Sequence, residues 1–346
     1  MSQLVRVLVV DDSAFARKVI REMLSRSPYI EVVGTARDGM EALDLVEQLK
    51  PHVVTCDLIM PRMDGAAFVR EQMSRRPVPI LIVSIAEQDA EQALAALEEG
   101  AVDFIQKPTT LANDDLLRIR QELIEKVKAA AIAPLGALLL EPQPKIELAA
   151  PVRSHESRIA AVVIGISTGG PQALRVLLPQ FPPDFPVPIA MVMHMPVGFT
   201  QLYAAKLNEA CMLTVREAQE GDEMRPGIAL LAQAGRHLLL RRNASGNVTA
   251  HLAYQPVDLL HRPSVDILFQ SAAEVYGDRT LGVVMTGMGS DGKQGAAWIK
   301  AQGGMVLTEA EQSCVIYGMP RSVVEAGLSD AAVPLDRLAQ TIINKL

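Results

Sequence analysis

The feature that most constrains this chain is an alternation that occurs twice. From Val5 to Lys107, short apolar runs ("VRVLVV", "IEVVGTA", "HVVTCDLI", "PILIVSI", "DFIQKP") alternate with segments of helical period ("AFARKVIREMLS", "GMEALDLVEQL", "AAFVREQMSR", "DAEQALAALEEG"). Uninterrupted Val/Ile/Leu strands need cover on both faces, and strand, helix, strand order supplies it around a parallel sheet. A second series opens at "AAVVIGISTGGPQALRVLL" and continues through "PIAMVMHM", "TQLYAAKLNEA", "PSVDILFQSAAEVYG" and "TLGVVMTGMGSDG". Within it, "GIALLAQAGRHLLLRRNASGNVTAHLA" carries turn residues between short strand-like pieces and reads as a β-hairpin insertion.

Between the two series, periodicity fails over "PLGALLLEPQPKIELAAPVRSHESR", a proline-bearing joint. The expected division is therefore a doubly wound, flavodoxin-like first domain over 1–125, a linker over 126–157, and a second α/β domain over 158–346. In 346 residues, 49% of them hydrophobic, there is enough apolar material for two cores. A formal charge of −7 and no basic stripe argue against nucleic acid as a partner. The longest other apolar stretch, "AAAIAPLGALLL", is short and broken by Pro134 and Gly136, so no membrane insertion is expected. The N-terminus does not read as a secretory signal, and three scattered cysteines, Cys56, Cys211 and Cys314, suit reduced thiols; both point to the cytoplasm.

In an open parallel sheet, chemistry gathers at the carboxyl ends of the strands. In the first series those ends carry Asp11 and Asp12, Asp57, Ser84 and Lys107. Three converging acids repel one another, and a hard cation such as Mg²⁺ relieves that. Lys107 and the metal would then neutralise a phosphoryl group arriving on one carboxylate. The stretches "VVDDSAFAR", "CDLIMPRMDG", "LIVSI" and "DFIQKP" resemble the receiver domain of two-component response regulators. The resemblance implies that Asp57 takes a phosphoryl group from a chemotaxis histidine kinase, that Asp11, Asp12 and Asp57 surround Mg²⁺, that Ser84 and Phe104 are switch residues, and that Lys107 contacts the phosphate. Phe104 stands where that family often has tyrosine.

In the second series, "GISTG" matches G-x-S-x-G, the strand-to-helix turn that exposes a nucleophilic serine, and it fails as a dinucleotide fingerprint because Ser167 stands where glycine is required. A nucleophilic serine needs a base and a group that orients the base. His194 ends the apolar strand of "PIAMVMHM", and Asp291 sits in the glycine-rich loop after "TLGVV", so both arrive at the edge that holds Ser167. The hydrolase order Ser, acid, His could instead draw on Asp222 or Asp258 with His261. The strand-end set Ser167, His194 and Asp291 is preferred because strand ends are rigid and convergent. Backbone N–H groups at Thr168 or near Met288 could receive an oxyanion, with Gly287, Gly289 and Gly292 allowing close approach.

"IGISTGGP", "HMPVGFT", "HRPSVD", "TGMGSDG" and "SCVIYGMPR" are similar to the methylesterase domain of the CheB family. Ser290, which is asparagine in some members, is a small polar departure beside Asp291. The resemblance implies a serine nucleophile at Ser167, a general base at His194 and an orienting acid at Asp291. It also implies hydrolysis of glutamate methyl esters and deamidation of certain glutamines on methyl-accepting chemoreceptors, with no cofactor in this half, and an unphosphorylated receiver that covers the esterase edge until Asp57 is phosphorylated. Two other readings stay open at the level of sequence: an esterase for another ester, and a binding or scaffold domain. The glycine and Met-Pro turn of "SCVIYGMPR" suggest proximity to the site.

Overall fold

A computed structural model describes residues 4–84, 90–107, 113–134 and 159–346, and the chain divides into two compact units. Most of the joint, including His155, lies outside the described residues, as do residues 85–89 and 108–112.

The first unit runs β1 (Val5–Val10), α1 (Ala14–Leu24), β2 (Ile30–Ala36), α2 (Gly39–Leu49), β3 (Val53–Cys56), α3 (Gly65–Arg75), β4 (Ile80–Ser84), α4 (Ala90–Glu98), β5 (Asp103–Gln106) and α5 (Asn113–Ala130). Its five strands are parallel in the order β2-β1-β3-β4-β5. Strand β3 and the inner residues of β1 and β4 are buried, as their unbroken apolar runs require. The first three helices start at polar caps: Ser13, Asp38 and Asp64 each accept a backbone N–H three residues on. Helix α5 continues through Ala130, so the opening residues of the expected linker are helical. Lys126 within it reaches Asp103 at 3.1 Å and the Phe104 carbonyl at 2.8 Å, which ties the helix to β5.

The second unit begins with β6 (Ala161–Ile166), α6 (Gly170–Leu177), β7 (Ile189–Met193), α7 (Thr200–Ala210), β8 (Thr214–Glu217), β9 (Ile228–Leu231), β10 (His237–Arg242) and β11 (Val248–Ala253). It continues with α8 (Val265–Tyr276), β12 (Thr280–Val284), α9 (Lys293–Ala301), β13 (Met305–Glu309), α10 (Met319–Glu325), β14 (Ala331–Val333) and α11 (Leu335–Ile343). Seven strands form one sheet in the order β14-β13-β12-β6-β7-β9-β8, and every pairing in it is parallel. Strands β10 and β11 form a separate antiparallel hairpin.

The insertion is therefore narrower than its sequence suggests, because "IALL" joins the main sheet between β7 and β8. Leu238, Leu240 and Ala250 of the hairpin share a core with Leu268 and Phe269 of α8. Order changes direction at β6, whose neighbours are β7 and β12, and a crevice outside the carboxyl ends at such a point is where α/β sheets place ligands. Among the described residues no helix is long and apolar enough to cross a membrane.

Candidate functional site

Three loops meet at that switch point. Ser167 follows β6 directly. Its N–H donates to the Thr286 carbonyl at 3.0 Å and its carbonyl accepts from Gly170 N–H at 2.7 Å, which folds the chain into a tight turn before α6. Gly169 caps this helix with φ +79°, and a Cβ there would stand 2.5 Å from Val315, so only glycine fits the turn. His194 follows β7, and Asp291 lies between β12 and α9.

The three side chains form a line. Ser167 Oγ is 3.1 Å from His194 Nδ1, and His194 Nε2 is 2.9 Å from Asp291 Oδ2. An ionised Asp291 can only accept, so the hydrogen-bond network assigns the imidazole proton to Nε2 and leaves the Nδ1 lone pair facing the serine hydroxyl. His194 and Asp291 side chains are each only 10% exposed, so the pair works at low dielectric.

Asp291 stays ionised there because it is heavily solvated by the protein. Burial works against its charge, but His194 and the N–H groups of Val265 (2.8 Å) and Asp266 (3.0 Å) hold its carboxyl well below the usual range. Ser264 Oγ adds a donor at 2.9 Å. The acid therefore also serves as the N-terminal cap of α8, where the helix dipole favours negative charge. Asp266, in the first turn of that helix, accepts from Gly292 N–H at 2.9 Å and Gly295 N–H at 2.7 Å, capping α9 in return. Burial and the neighbouring Asp291 charge raise its pKa.

Other groups meet this line in ways the spacing does not indicate. His261 stacks on His194, with ring centroids 3.9 Å apart and planes 15° from parallel. His237, fully buried, accepts from Ser264 N–H at 3.2 Å and donates to the Pro256 carbonyl at 2.9 Å, so it anchors the segment that carries His261. Those partners fix it as the neutral imidazole, and burial lowers its pKa. The motif "HRPSVD" holds His261, Ser264 and Asp266, but nothing in its spacing tells which group it faces.

The alternative acids are placed otherwise: Asp222 binds Arg216 at 2.8 Å and Asp258 is exposed. Thr168 follows Ser167 in the chain, and Gly287, just before Met288, lies so close that a Cβ on it would stand 2.8 Å from Ser167 Cβ. The "SCVIYGMPR" segment is indeed adjacent: Tyr317 bridges to Gly287, and Val315 packs on Gly169.

In the first unit, one ligand oxygen from each of Asp11, Asp12 and Asp57 falls within 4.8 Å of the others. Such an all-carboxylate set fits a hard cation of the Mg²⁺ type. Lys107 Nζ is 2.7 Å from Asp57 Oδ2 and 2.8 Å from Asp11 Oδ2. Burial raises the Asp57 pKa against the pull of Lys107, and the two carboxylates outweigh burial in holding the Lys107 pKa above its ordinary value. Ser84, at the end of β4, is buried, and its carbonyl accepts from Lys107 N–H. Phe104 is buried in β5 beneath the Lys126 ammonium, 5.6 Å from its ring centroid.

Comparison with known proteins agrees with this division. Residues 7–119 match the response regulator receiver domain, and residues 162–342 match the CheB methylesterase family. A protein-glutamate methylesterase/protein-glutamine glutaminase of Myxococcus xanthus is 49% identical over 96% of this chain and 95% of its own length. Its namesake in Halalkalibacterium halodurans is 43% identical over 100% and 99%. The crystal structure of the Thermotoga maritima CheB methylesterase catalytic domain, 40% identical, superposes with a TM-score of 0.53 over 54% of this chain and 99% of that domain. This chain belongs to the CheB methylesterase family and joins a response-regulator receiver domain to the family's catalytic domain.

Proposed function

We propose that this chain is a phosphorylation-activated hydrolase that demethylates glutamate methyl esters on chemoreceptors, and deamidates particular receptor glutamines, in chemotactic adaptation. The observation that carries the reading is the unbroken hydrogen-bonded line from Ser167 Oγ through His194 to Asp291, at the end of the central strand of a catalytic domain of this family. Relatives across the whole chain are named for both activities.

Ser167 Oγ attacks the side-chain carbonyl carbon while His194 Nδ1 takes the hydroxyl proton, giving an imidazolium that Asp291 stabilises. The tetrahedral oxyanion is received by backbone N–H groups at Thr168 and Met288. Collapse breaks the bond to methoxide, or to the amide nitrogen, and His194 returns its proton to the leaving group. Water then enters, gives a proton to His194 and attacks the acyl carbon; the proton passes to Ser167 as its ester bond breaks, releasing glutamate. Each proton in the cycle is carried by His194, so the esterase half requires no cofactor.

In the receiver domain, Asp57 accepts a phosphoryl group from the phosphohistidine of a chemotaxis kinase. Asp11, Asp12 and Asp57 would hold Mg²⁺, which when bound offsets charge on the phosphoryl oxygens. Lys107 leaves its carboxylate partner for the phosphate, and Ser84 and Phe104 respond as switch residues. The reaction belongs in the cytoplasm, where the kinase and the receptors' methylated segments are found.

The test is methanol release from methylated receptor membranes by wild type, Ser167→Ala and Asp57→Asn, with and without acetyl phosphate. Release should rise with the donor in wild type, vanish in Ser167→Ala and ignore the donor in Asp57→Asn. Wild-type release by Ser167→Ala would overturn the nucleophile, and a donor response in Asp57→Asn would overturn the switch.

A further inference from the structure

Behind the serine turn lies a carboxyl group that the reaction does not consume. Glu309, the last residue of β13, is fully buried, and its two oxygens accept from Thr286 N–H at 2.9 Å and from Ser313 Oγ at 3.0 Å. Thr286 is the residue that grips the turn. Its carbonyl accepts Ser167 N–H at 3.0 Å, its hydroxyl donates to the Thr168 carbonyl at 2.9 Å, and the same hydroxyl accepts Ile316 N–H at 3.0 Å.

A buried carboxyl group is an expensive way to fill volume, since an apolar side chain of the same size carries no desolvation cost. What the acid supplies is an acceptor that the sheet lacks. Pairing of β12 with β13 ends at Val284 and Thr308, so Thr286 N–H lies beyond the ladder and depends on the Glu309 side chain. The site tolerates a proton as well: Ser313 Oγ is 3.1 Å from the Ala310 carbonyl, so its hydroxyl can donate there and accept from a protonated Glu309. In either state the acceptor for Thr286 is retained.

We infer that Glu309 is a positioning residue for the Ser167 nucleophile, acting through Thr286. The inference rests on the reading of Ser167 as nucleophile. Loss of the acceptor would leave Thr286 free to shift, and with it both peptide groups that set the direction of Ser167 Oγ and of Thr168 N–H. Displacement of that kind lowers turnover and leaves substrate binding nearly intact.

The experiment uses the full chain with acetyl phosphate and follows methanol release against concentration of methylated receptor membranes for wild type, Ser167→Ala, Glu309→Met, Glu309→Gln and Thr286→Val. Glu309→Met should lower kcat by about tenfold or more with KM within about twofold of wild type. Glu309→Gln, whose amide oxygen still accepts Thr286 N–H and whose nitrogen donates to Ser313, should recover kcat to within about threefold. Thr286→Val should fall as Glu309→Met does. A wild-type kcat for folded Glu309→Met, or a Glu309→Gln no better than Glu309→Met, overturns the inference. If Glu309→Met does not fold, a fall in kcat of about tenfold for Glu309→Gln overturns it, because the amide oxygen still accepts Thr286 N–H. Failure of the nucleophile reading appears in a different arm, as wild-type release by Ser167→Ala.

Discussion

Asp291 and Asp266 cap each other's helices. Asp291 accepts the N–H groups of Val265 and Asp266 at the start of α8, while Asp266, seated in that first turn, accepts those of Gly292 and Gly295 at the start of α9. The reciprocal arrangement fixes the loop between β12 and α9 by side chains on both sides, so Asp291 is held by structure independent of His194.

Removing one half of this exchange separates its structural part from its chemical part. Asp266→Ala leaves Gly295 N–H without its acceptor and Gly292 N–H with Asp291 Oδ1 alone, at 3.1 Å, and should cost about 1 kcal/mol of stability. Urea denaturation followed by the fluorescence of Trp298, the only tryptophan and a residue of α9, reads the catalytic domain directly. An unchanged midpoint would show that the cross-cap contributes nothing.

The orienting role of Asp291 is tested by Asp291→Asn, which keeps the shape and removes the charge. An amide there can present its nitrogen to His194 Nε2, which favours the wrong tautomer, and it gives no counter-charge to the imidazolium. We expect kcat to fall by roughly 10³–10⁴ with KM within about threefold, measured as methanol release. A loss confined to KM would assign Asp291 to substrate binding.

The acidic pocket makes a prediction that runs opposite to simple damage. Lys107 places an ammonium 2.7–2.8 Å from two of the three carboxylates that would bind Mg²⁺, so it competes electrostatically with the cation. Lys107→Ala should bind Mg²⁺ about tenfold more tightly than wild type while losing the response of methanol release to acetyl phosphate; Asp12→Ala should bind it more weakly. Titration calorimetry of the full chain measures both, and weaker Mg²⁺ binding in Lys107→Ala would refute the competition.

How much of this was legible depends on what each residue's sequence neighbours report. Ser167, His194, Asp11 and Asp57 were readable because each ends an unbroken apolar strand, and parallel strands bring their ends to one edge. Asp291 was readable from its glycine-rich loop. Asp266 was not assigned a role, and His261 was read only as an alternative catalytic histidine, because the cap Asp266 makes on α9 lies 26–29 residues along the chain and the stacking of His261 on His194 joins two separate loops. Glu309 closes the strand β13, and nothing in the run "MVLTE" marks its acid as buried. Its burial arises from β14 and the Ser313 turn, both distant in the logic of local pattern. "IALL" read as part of the hairpin because turn residues follow it closely, yet the free edge of β7 supplied a partner that local pattern does not encode.

The same Glu309 gives a pH dependence with a definite sign. Burial pushes its carboxyl up from 4.5 to about 7, with Thr286 N–H, Ser313 and the Cys314 thiol opposing, so between those values the folded state binds more protons than the unfolded state. Stability from this group is therefore present at low pH and is lost as pH rises through the window, by about 3 kcal/mol in all. Glu309→Gln cannot titrate. Its stability relative to wild type should accordingly increase by about that amount between pH 4.5 and pH 8, when urea midpoints are read from Trp298 fluorescence at each pH. Comparing variant with wild type at each pH cancels the other titrating groups, including Asp291, whose lowered pKa acts below this window and with the opposite sign. A difference that stays constant across the window would mean that Glu309 keeps one charge state throughout.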